Sequence, residues 1–544
     1  MNQLTFYPII SENAGIKVIE EFVAMKDGIR LYTRFSLPKK ADKLPIVYIR
    51  TPYETAHEGI LHALEKYTND MYLQNGYAVV LQHCRGTGDS EGICIPYNER
   101  EDGLTTLEYI RTLSFYNGEI YLAGRSYLST VHLCYLDTNP SDIKGAALDI
   151  QTDRMYFMRY RNGCNYSFCN IKWQLKMLKR RYPEQKFENP VKRPYKDLIK
   201  RIVGKEISEY TATLLNDTYN NFWIDDPRTH VIDHLQIPIL LTEGWYDFYI
   251  EGMFSMWKRL PEETRKKSAF VVGPWGHRTY VDNAAEYPLP NGNIPSDYAV
   301  EWFNSIREGR SYKYAKTGKV NYYSIGGDYW TISDYPIEIT TTKRWYFNKN
   351  SRLTADYSGS DDVQLTYTYD PDKRLGCFPY HNIFKAAEMN SVEGVISFQS
   401  EAFAEETSFF GEIRWHMTVS SDCEDTTFFI RVYFVENGER YNLTETITSL
   451  SHLYSCYIPG DKVIIDLKTP PIAFTLKPGS CISIDIASDG GVYVPHANVK
   501  GHWAKITKSK IARNSIYLKD SFVELLLASP STRSVEGNVN RSAK

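Results

Sequence analysis

The sequence predicts an α/β-hydrolase domain with a helical cap insertion, followed by a C-terminal β jelly roll of the galactose-binding-like kind. Three observations carry that expectation. Up to Ile150, short apolar runs ending in loops alternate with helical stretches. The alternation lapses over 151–234 and then resumes. Beyond about Thr341 the pattern turns to strands and tight turns. A chain of 544 residues has room for two or three cores, since one domain commonly holds about 100–200 residues.

The elements follow in order. IVYIRTPY (46–53), AVVLQHCRG (78–86) and IYLAGRS (120–126) each read as a buried strand running into a loop at its C-terminal end. YLSTVHLCYLDT (127–138) has a helical pattern that Asn139-Pro140 stops, because proline removes a backbone donor and restricts its predecessor. This alternation implies βαβ units and a mostly parallel sheet. The segment 151–234 is aromatic and basic, with helical stretches such as IKWQLKMLKRRY (171–182). An insertion that interrupts a sheet and then hands the chain back reads as a cap over the sheet's C-terminal edge. IPILLTEGWYD (237–247) and SAFVVGPWGH (268–277) resume the strands. The expected division is 1–150 with 235–340 as the catalytic domain, 151–234 as the cap and 341–544 as the jelly roll. In the last part, FFIRVYFVENGERYNLTETI (428–447) forms two strands around Asn437-Gly438, a pair suited to the positive φ of a hairpin turn. CISIDIAS (481–488) alternates, with Ile482, Ile484 and Ile486 on one face. The last dozen residues are expected to fray.

Composition narrows the function. A net charge of -3 and a pI near 6.5 argue against a nucleic-acid binder, which is usually basic. No apolar run of about 18 residues is present to span a membrane, and the N-terminus lacks the basic and apolar regions of a secretory signal. Nine cysteines without a CxxC pair read as reduced thiols in a cytoplasmic protein. The absence of CxxC and HExxH removes the usual zinc sites. No metal or organic cofactor is expected, and a homo-oligomer is left open.

The chemistry centres on Gly124-Arg125-Ser126-Tyr127. A serine hydroxyl becomes a nucleophile only when it is exposed, rigidly held and paired with a base. A sharp strand-to-helix turn provides the exposure, needs small neighbours, and aims the following N–H, that of Tyr127, at the developing oxyanion. Asp247 ends a second apolar strand and His277 follows a third, in the chain order Ser…Asp…His of α/β-hydrolases. All three fall at the carboxyl ends of strands, where open parallel sheets bind ligands. Ser126 is therefore the expected nucleophile, His277 the general base and Asp247 its orienting carboxylate. Trp245, Tyr246 and Phe248, flanking Asp247, are expected to shape the substrate pocket.

The sequence also resembles the cocaine esterase / X-prolyl dipeptidyl-peptidase-like (CocE/NonD) group of serine hydrolases. The resemblance rests on MKDGIRL (25–31), RTPYE (50–54), NGYAVV (75–80), CRGTGDSEG (84–92), GRSYLS (124–129), GWYDFY (244–249) and GPWGH (273–277), which occur in the family's order. The C-terminal half matches less sharply, through RWYFN (344–348) and later strands. The resemblance implies the three-part architecture and the triad roles. It also implies that Tyr53 supplies an oxyanion donor through its hydroxyl, beside the Tyr127 N–H. The substrate is then a small ester, an amide or a short peptide, and the motifs do not choose among these. An exopeptidase reading needs a carboxylate to pair with the substrate's ammonium, and Asp153 near the cap is available.

Two positions depart from the family pattern. Ser129 stands where glycine is usual in G-x-S-Y-x-G, and His83 stands where an aspartate is usual. His83 is accordingly a rival base or a polar loop residue. The glycine-rich Arg85–Asp89 loop lacks the spacing of a phosphate cradle and reads as a turn braced by Arg85 and Asp89. Finally, 172–205 holds twelve basic residues against three acidic ones. Such a run reads as a solvated helical face, or as a cleft-facing patch that attracts carboxylate-bearing substrates.

Overall fold

The computed structural model describes residues 9–528 apart from 14, 39–41, 54–69, 167–170, 182–192, 337–338, 358, 360–361 and 374–381. The expected frayed tail lies outside the described residues. The first half is built on an eleven-stranded sheet. Its strands are β1 (Ile9–Asn13), β2 (Ile16–Ala24), β3 (Arg30–Pro38), β4 (Leu44–Thr51), β5 (Ala78–His83), β6 (Tyr116–Arg125), β7 (Ile143–Asp149), β8 (Ile239–Gly244), β9 (Ala269–Gly273), β10 (Val320–Ser324) and β11 (Tyr329–Ser333). Their spatial order is β1-β2-β3-β5-β4-β6-β7-β8-β9-β10-β11. From β5 to β10 every neighbouring pair is parallel, and antiparallel strands lie only towards the edges.

Period-2 alternation splits the buried strand residues between two faces. Ile46 and Tyr48 of β4, Ala78 and Val80 of β5, and Ile120 and Leu122 of β6 join one apolar cluster; Val47, Ile49, Val79, Leu81, Tyr121 and Ala123 join another. Helices α1 (Arg100–Ile110) and α4 (Ile250–Arg259) bury residues against the first face. Helix α5 (Tyr298–Glu308) covers the second with Trp302 and Phe303. Between β6 and β7 lies α2 (Tyr127–Leu133), shorter than the 127–138 expected. The chain passes on through a 3-10 turn, Leu136–Thr138, to Asn139 in the left-handed region. The strands also end earlier than their apolar patterns suggest, β8 at Gly244 and β9 at Gly273.

Segment 151–234 contributes short helices, among them α3 (Trp173–Arg181), and one two-stranded ribbon at 160–165. Lys196 N bonds Ala504 O, and Tyr166 stacks on Tyr493 at 4.8 Å, so the segment also leans on the second half. That half is β-rich. It carries a ten-stranded sheet and a separate two-stranded pair. The hairpin read from the sequence is there: Thr427–Glu436 pairs antiparallel with Glu439–Ser449. The turn residues Asn437 and Gly438 sit at φ 53° and 81°. Ile482, Ile484 and Ile486 are fully buried.

Candidate active site

The turn at Ser126 is strained and tightly held. Ser126 has φ 57° and ψ −123°, a conformation costing a non-glycine residue roughly 1–3 kcal/mol and common at functional sites. Surrounding bonds offset that cost. Ser126 N donates to Asp149 O at 2.9 Å, while Ser126 O accepts from Ser129 N at 3.0 Å and Thr130 N at 3.1 Å. Gly124 is required: a Cβ there would lie 2.3 Å from Leu128 O. Ser129 fits because its hydroxyl donates to Asp149 O at 3.0 Å, tying the helix start to the neighbouring strand. This departure from glycine thus adds a bond and removes none.

Chain order becomes geometry at the strand ends. The His277 Nδ1–H donates to Asp247 Oδ2 at 2.6 Å, and the Ser126 hydroxyl donates to His277 Nε2 at 2.9 Å. Asp247 is buried, and its other oxygen accepts the Tyr249 N–H at 2.8 Å. The His277 ring stacks on Phe248, with centroids 5.1 Å apart and 16° between planes. Those contacts hold the imidazole in one tautomer and one plane. Behind Asp247 lies Glu243, wholly buried; desolvation and the Asp247 charge push its carboxyl well above the usual range.

Tyr127 is buried. Its hydroxyl donates to Glu99 Oε1 at 3.0 Å and accepts from Tyr97 N at 2.8 Å. Glu99 in turn pairs with buried Arg50 at 3.1 Å. The phenol acts as a peg that fixes the backbone next to Ser126. Tyr53 lines the same cavity, where its hydroxyl accepts from Trp173 Nε1 at 3.3 Å. Trp173 stacks on Tyr127 at 5.4 Å and on Tyr97 at 5.7 Å. It lines the cavity, a role the sequence reading missed: a tryptophan in a basic helix carries no signal of which face it presents.

The cavity at Ser126 has a volume of about 640 Å³ and a mostly apolar lining. Phe248 borders it beside His277, while Trp245 and Tyr246 do not. This corrects the expectation for those two. After β8 the chain turns so that Trp245 Nε1 donates to Tyr323 O at 2.7 Å, and the Tyr246 hydroxyl donates to Asn442 O at 3.1 Å. The first bond ties the turn to β10 of the same sheet, and the second ties it to the β-rich half. On the far wall the Tyr298 hydroxyl bonds Asp149 Oδ2, and the Arg125 guanidinium lies near both. Burial pushes the Asp149 carboxyl up to about 6.

His83 is elsewhere. Its ring packs on Tyr32, with centroids 4.9 Å apart, and Nδ1 accepts the Asp89 N–H at 3.3 Å. It is not part of the lining around Ser126. Arg85 braces its loop as expected, but through Asp102 at 2.6 Å and Asp27 at 2.7 Å, not through the Asp89 carboxylate. Asp153 is fully buried and held by Arg259 with both oxygens at 2.6 Å, away from the cavity. Of the basic run, Lys172 and Lys176 line the cavity. Arg193 and Lys196 pair instead with Asp372 and Asp197. Residues 182–192 and the side chains of 179–181 lie outside the described residues.

Among the described residues no group of three or more His, Cys, Asp or Glu could hold a metal ion, and no helix is long and apolar enough to cross a membrane. The seven described cysteines are free thiols.

Comparison with known proteins agrees with this architecture. Residues 27–279 match the family described as X-Pro dipeptidyl-peptidase (S15 family). Residues 313–520 match the X-Pro dipeptidyl-peptidase C-terminal non-catalytic domain. Cocaine esterase of Rhodococcus sp. (strain MB1 Bresler) is 22% identical over 540 residues, covering 86% of this chain and 89% of that protein. Among solved structures, an α-amino acid ester hydrolase superposes with a TM-score of 0.79 at 18% identity, covering 97% of this chain and 99% of its own. An aminopeptidase from a marine sediment archaeon, Thaumarchaeota archaeon, superposes at 0.78 with 16% identity, covering 97% and 100%. Those two likenesses speak for the fold. With the two family models matched in order along one chain, and a relative aligned over most of its length, this protein belongs to the X-Pro dipeptidyl-peptidase (S15) and cocaine esterase family of serine hydrolases, which act on ester or peptide bonds.

Proposed function

We propose that Ser126 is the nucleophile, His277 the general base and Asp247 the carboxylate that orients it. The observation that carries this reading is the continuous hydrogen-bond chain from Ser126 Oγ through His277 to Asp247, at 2.9 and 2.6 Å. In the acylation step Ser126 Oγ attacks the substrate carbonyl while Nε2 takes its proton. Nε2 then passes that proton to the leaving alcohol or amine, whose bond to the acyl carbon breaks. Water repeats the sequence on the acyl-Ser126 ester and restores the hydroxyl. The Tyr127 N–H and the Tyr53 hydroxyl are the oxyanion donors in this reading. The peg formed by Tyr127 with Glu99 supports the first, and the place of Tyr53 on the cavity wall supports the second. We assign the hydrolase unit to 1–150 with 235–340, the cap to 151–234, and the β-rich unit to 341–544.

The lining favours an ester or amide without a free ammonium group. Its one carboxylate among the described residues, Asp149, is already bonded by Tyr298, and Asp153 is engaged by Arg259. The experiment is a panel of p-nitrophenyl esters and Xaa-Pro anilides on wild type and Ser126→Ala, with a fluorophosphonate label. Labelling and turnover should both disappear in Ser126→Ala. Labelling that persists there overturns the assignment.

A further inference from the structure

The wall that segment 151–234 contributes to the Ser126 cavity is cationic. Lys172 immediately precedes α3 and Lys176 lies one turn further on, so the two share a side of the helix. Both are exposed and both line the cavity. The other side of the helix, with Gln174, Met177 and Leu178, is buried. Trp173 fixes the orientation by stacking on Tyr127, and Lys176 Nζ lies 5.1 Å from the ring centre of Tyr53. The Lys176 ammonium is therefore held beside Tyr53, one of the proposed oxyanion donors, and Lys172 lines the same wall.

The charges of the whole lining point the same way. Its described cations are Arg125, Lys172, Lys176 and Arg278, and its one described carboxylate is Asp149. Arg125 faces Asp149 within the far wall, and Arg278 pairs with Asp282 at 3.2 Å. In a largely apolar cavity a net positive wall attracts anions and repels ammonium groups over the distance that salt leaves unscreened.

We propose that Lys172 and Lys176 recognise a carboxylate carried by the substrate, so that the enzyme prefers esters or amides bearing an anionic group. This rests on Ser126 acting as the nucleophile at this cavity. Three aryl esters test it: p-nitrophenyl butyrate, the mono-p-nitrophenyl ester of glutaric acid, and the butyrate ester of 4-hydroxybenzoic acid. The last two carry the carboxylate on the acyl and the leaving side respectively. At 20 mM salt at least one anionic ester should exceed the neutral one in kcat/KM, after correction for intrinsic reactivity. That preference should fall on the order of tenfold by 500 mM salt. Lys172→Glu with Lys176→Glu should remove the salt slope and lower the preference by about tenfold or more. Lys172→Gln and Lys176→Gln singly should lower it part way. The rate of labelling by a neutral fluorophosphonate reports whether each variant is folded, and the wild-type salt profile needs no variant at all. Equal salt profiles for all three esters, or a preference unchanged in the folded variants, overturn the proposal. Loss of labelling in Ser126→Ala alone checks the nucleophile independently, so the two failures are distinguishable.

Discussion

Two histidines, His83 and His277, stand at or just beyond the ends of strands of the same sheet, and both are next to glycine-rich loops. Counted in strands, His83 is the nearer to Ser126: β5 is two places from β6, and β9 is three. Yet only His277 meets the serine. His83 is the last residue of its strand, and its ring packs down on Tyr32 under the Gly88 backbone. His277 lies four residues beyond the end of β9, and the intervening Pro274-Trp275-Gly276 turn carries it back across the sheet edge. That turn is anchored at two points. Tyr246 N donates to Trp275 O at 2.9 Å, and Trp275 Nε1 donates to Gly292 O at 2.8 Å. What brings a side chain to Ser126 over a sheet of this kind is the reach and direction of the loop, more than the rank of the strand.

The sharpest way to break that comparison is to exchange the fates of the two rings. His277→Ala should lower kcat on a p-nitrophenyl ester by at least about 10⁴-fold, as loss of a triad base does. His83→Ala should keep kcat within about threefold and show its effect in thermal stability. If the large loss follows His83 instead, the geometric argument fails.

A smaller effect tests the other wall. Tyr53→Phe keeps the ring that Lys176 touches and removes the hydroxyl, and with it the acceptor of the Trp173 Nε1–H. Losing one oxyanion donor costs about 3 kcal/mol, or a hundredfold or more in kcat. A change below about threefold, with KM also unchanged, would leave Tyr53 as packing.

The two histidines also mark how far the sequence could be read. Strands β4, β5, β6, β8 and β9, the elbow at Ser126 and the Asn437-Gly438 hairpin were legible because each has a local cause: period-2 burial, a glycine that a backbone crowds, a turn that needs positive φ. The grouping of Ser126, Asp247 and His277 was legible because all three stand at or beyond strand ends. Trp245 and Tyr246 were misplaced because neighbours on a tight turn diverge. Trp245 reaches back to Tyr323, Tyr246 out to Asn442, and only Phe248 remains against the imidazole. Trp173 was invisible as part of a site for a similar reason, and for the lysines the sequence left two readings open, a solvated face or a cleft-facing patch. Helical periodicity groups Lys172 with Lys176, but which face meets the cavity depends on packing against Tyr127, more than forty positions away in sequence.

The smallest expected effect concerns stability. Gly88 has φ +52°, and a Cβ there would lie 2.1 Å from His83 Nδ1. Gly88→Ala therefore meets two penalties: a left-handed backbone and a collision with a buried ring. Together they should cost about 1–3 kcal/mol or somewhat more, read as a lower Tm for the catalytic domain. Turnover of the remaining folded enzyme should stay near that of wild type, because this loop lies off the cavity. The two penalties separate in a double-mutant cycle. In a His83→Ala background the ring is gone and only the backbone penalty remains, so the same glycine substitution should cost less, by about 1 kcal/mol or more of coupling. If the costs simply add, the ring is not pinned beneath Gly88. His83 would then have a freedom to swing that its packing between Tyr32 and Gly88 denies it.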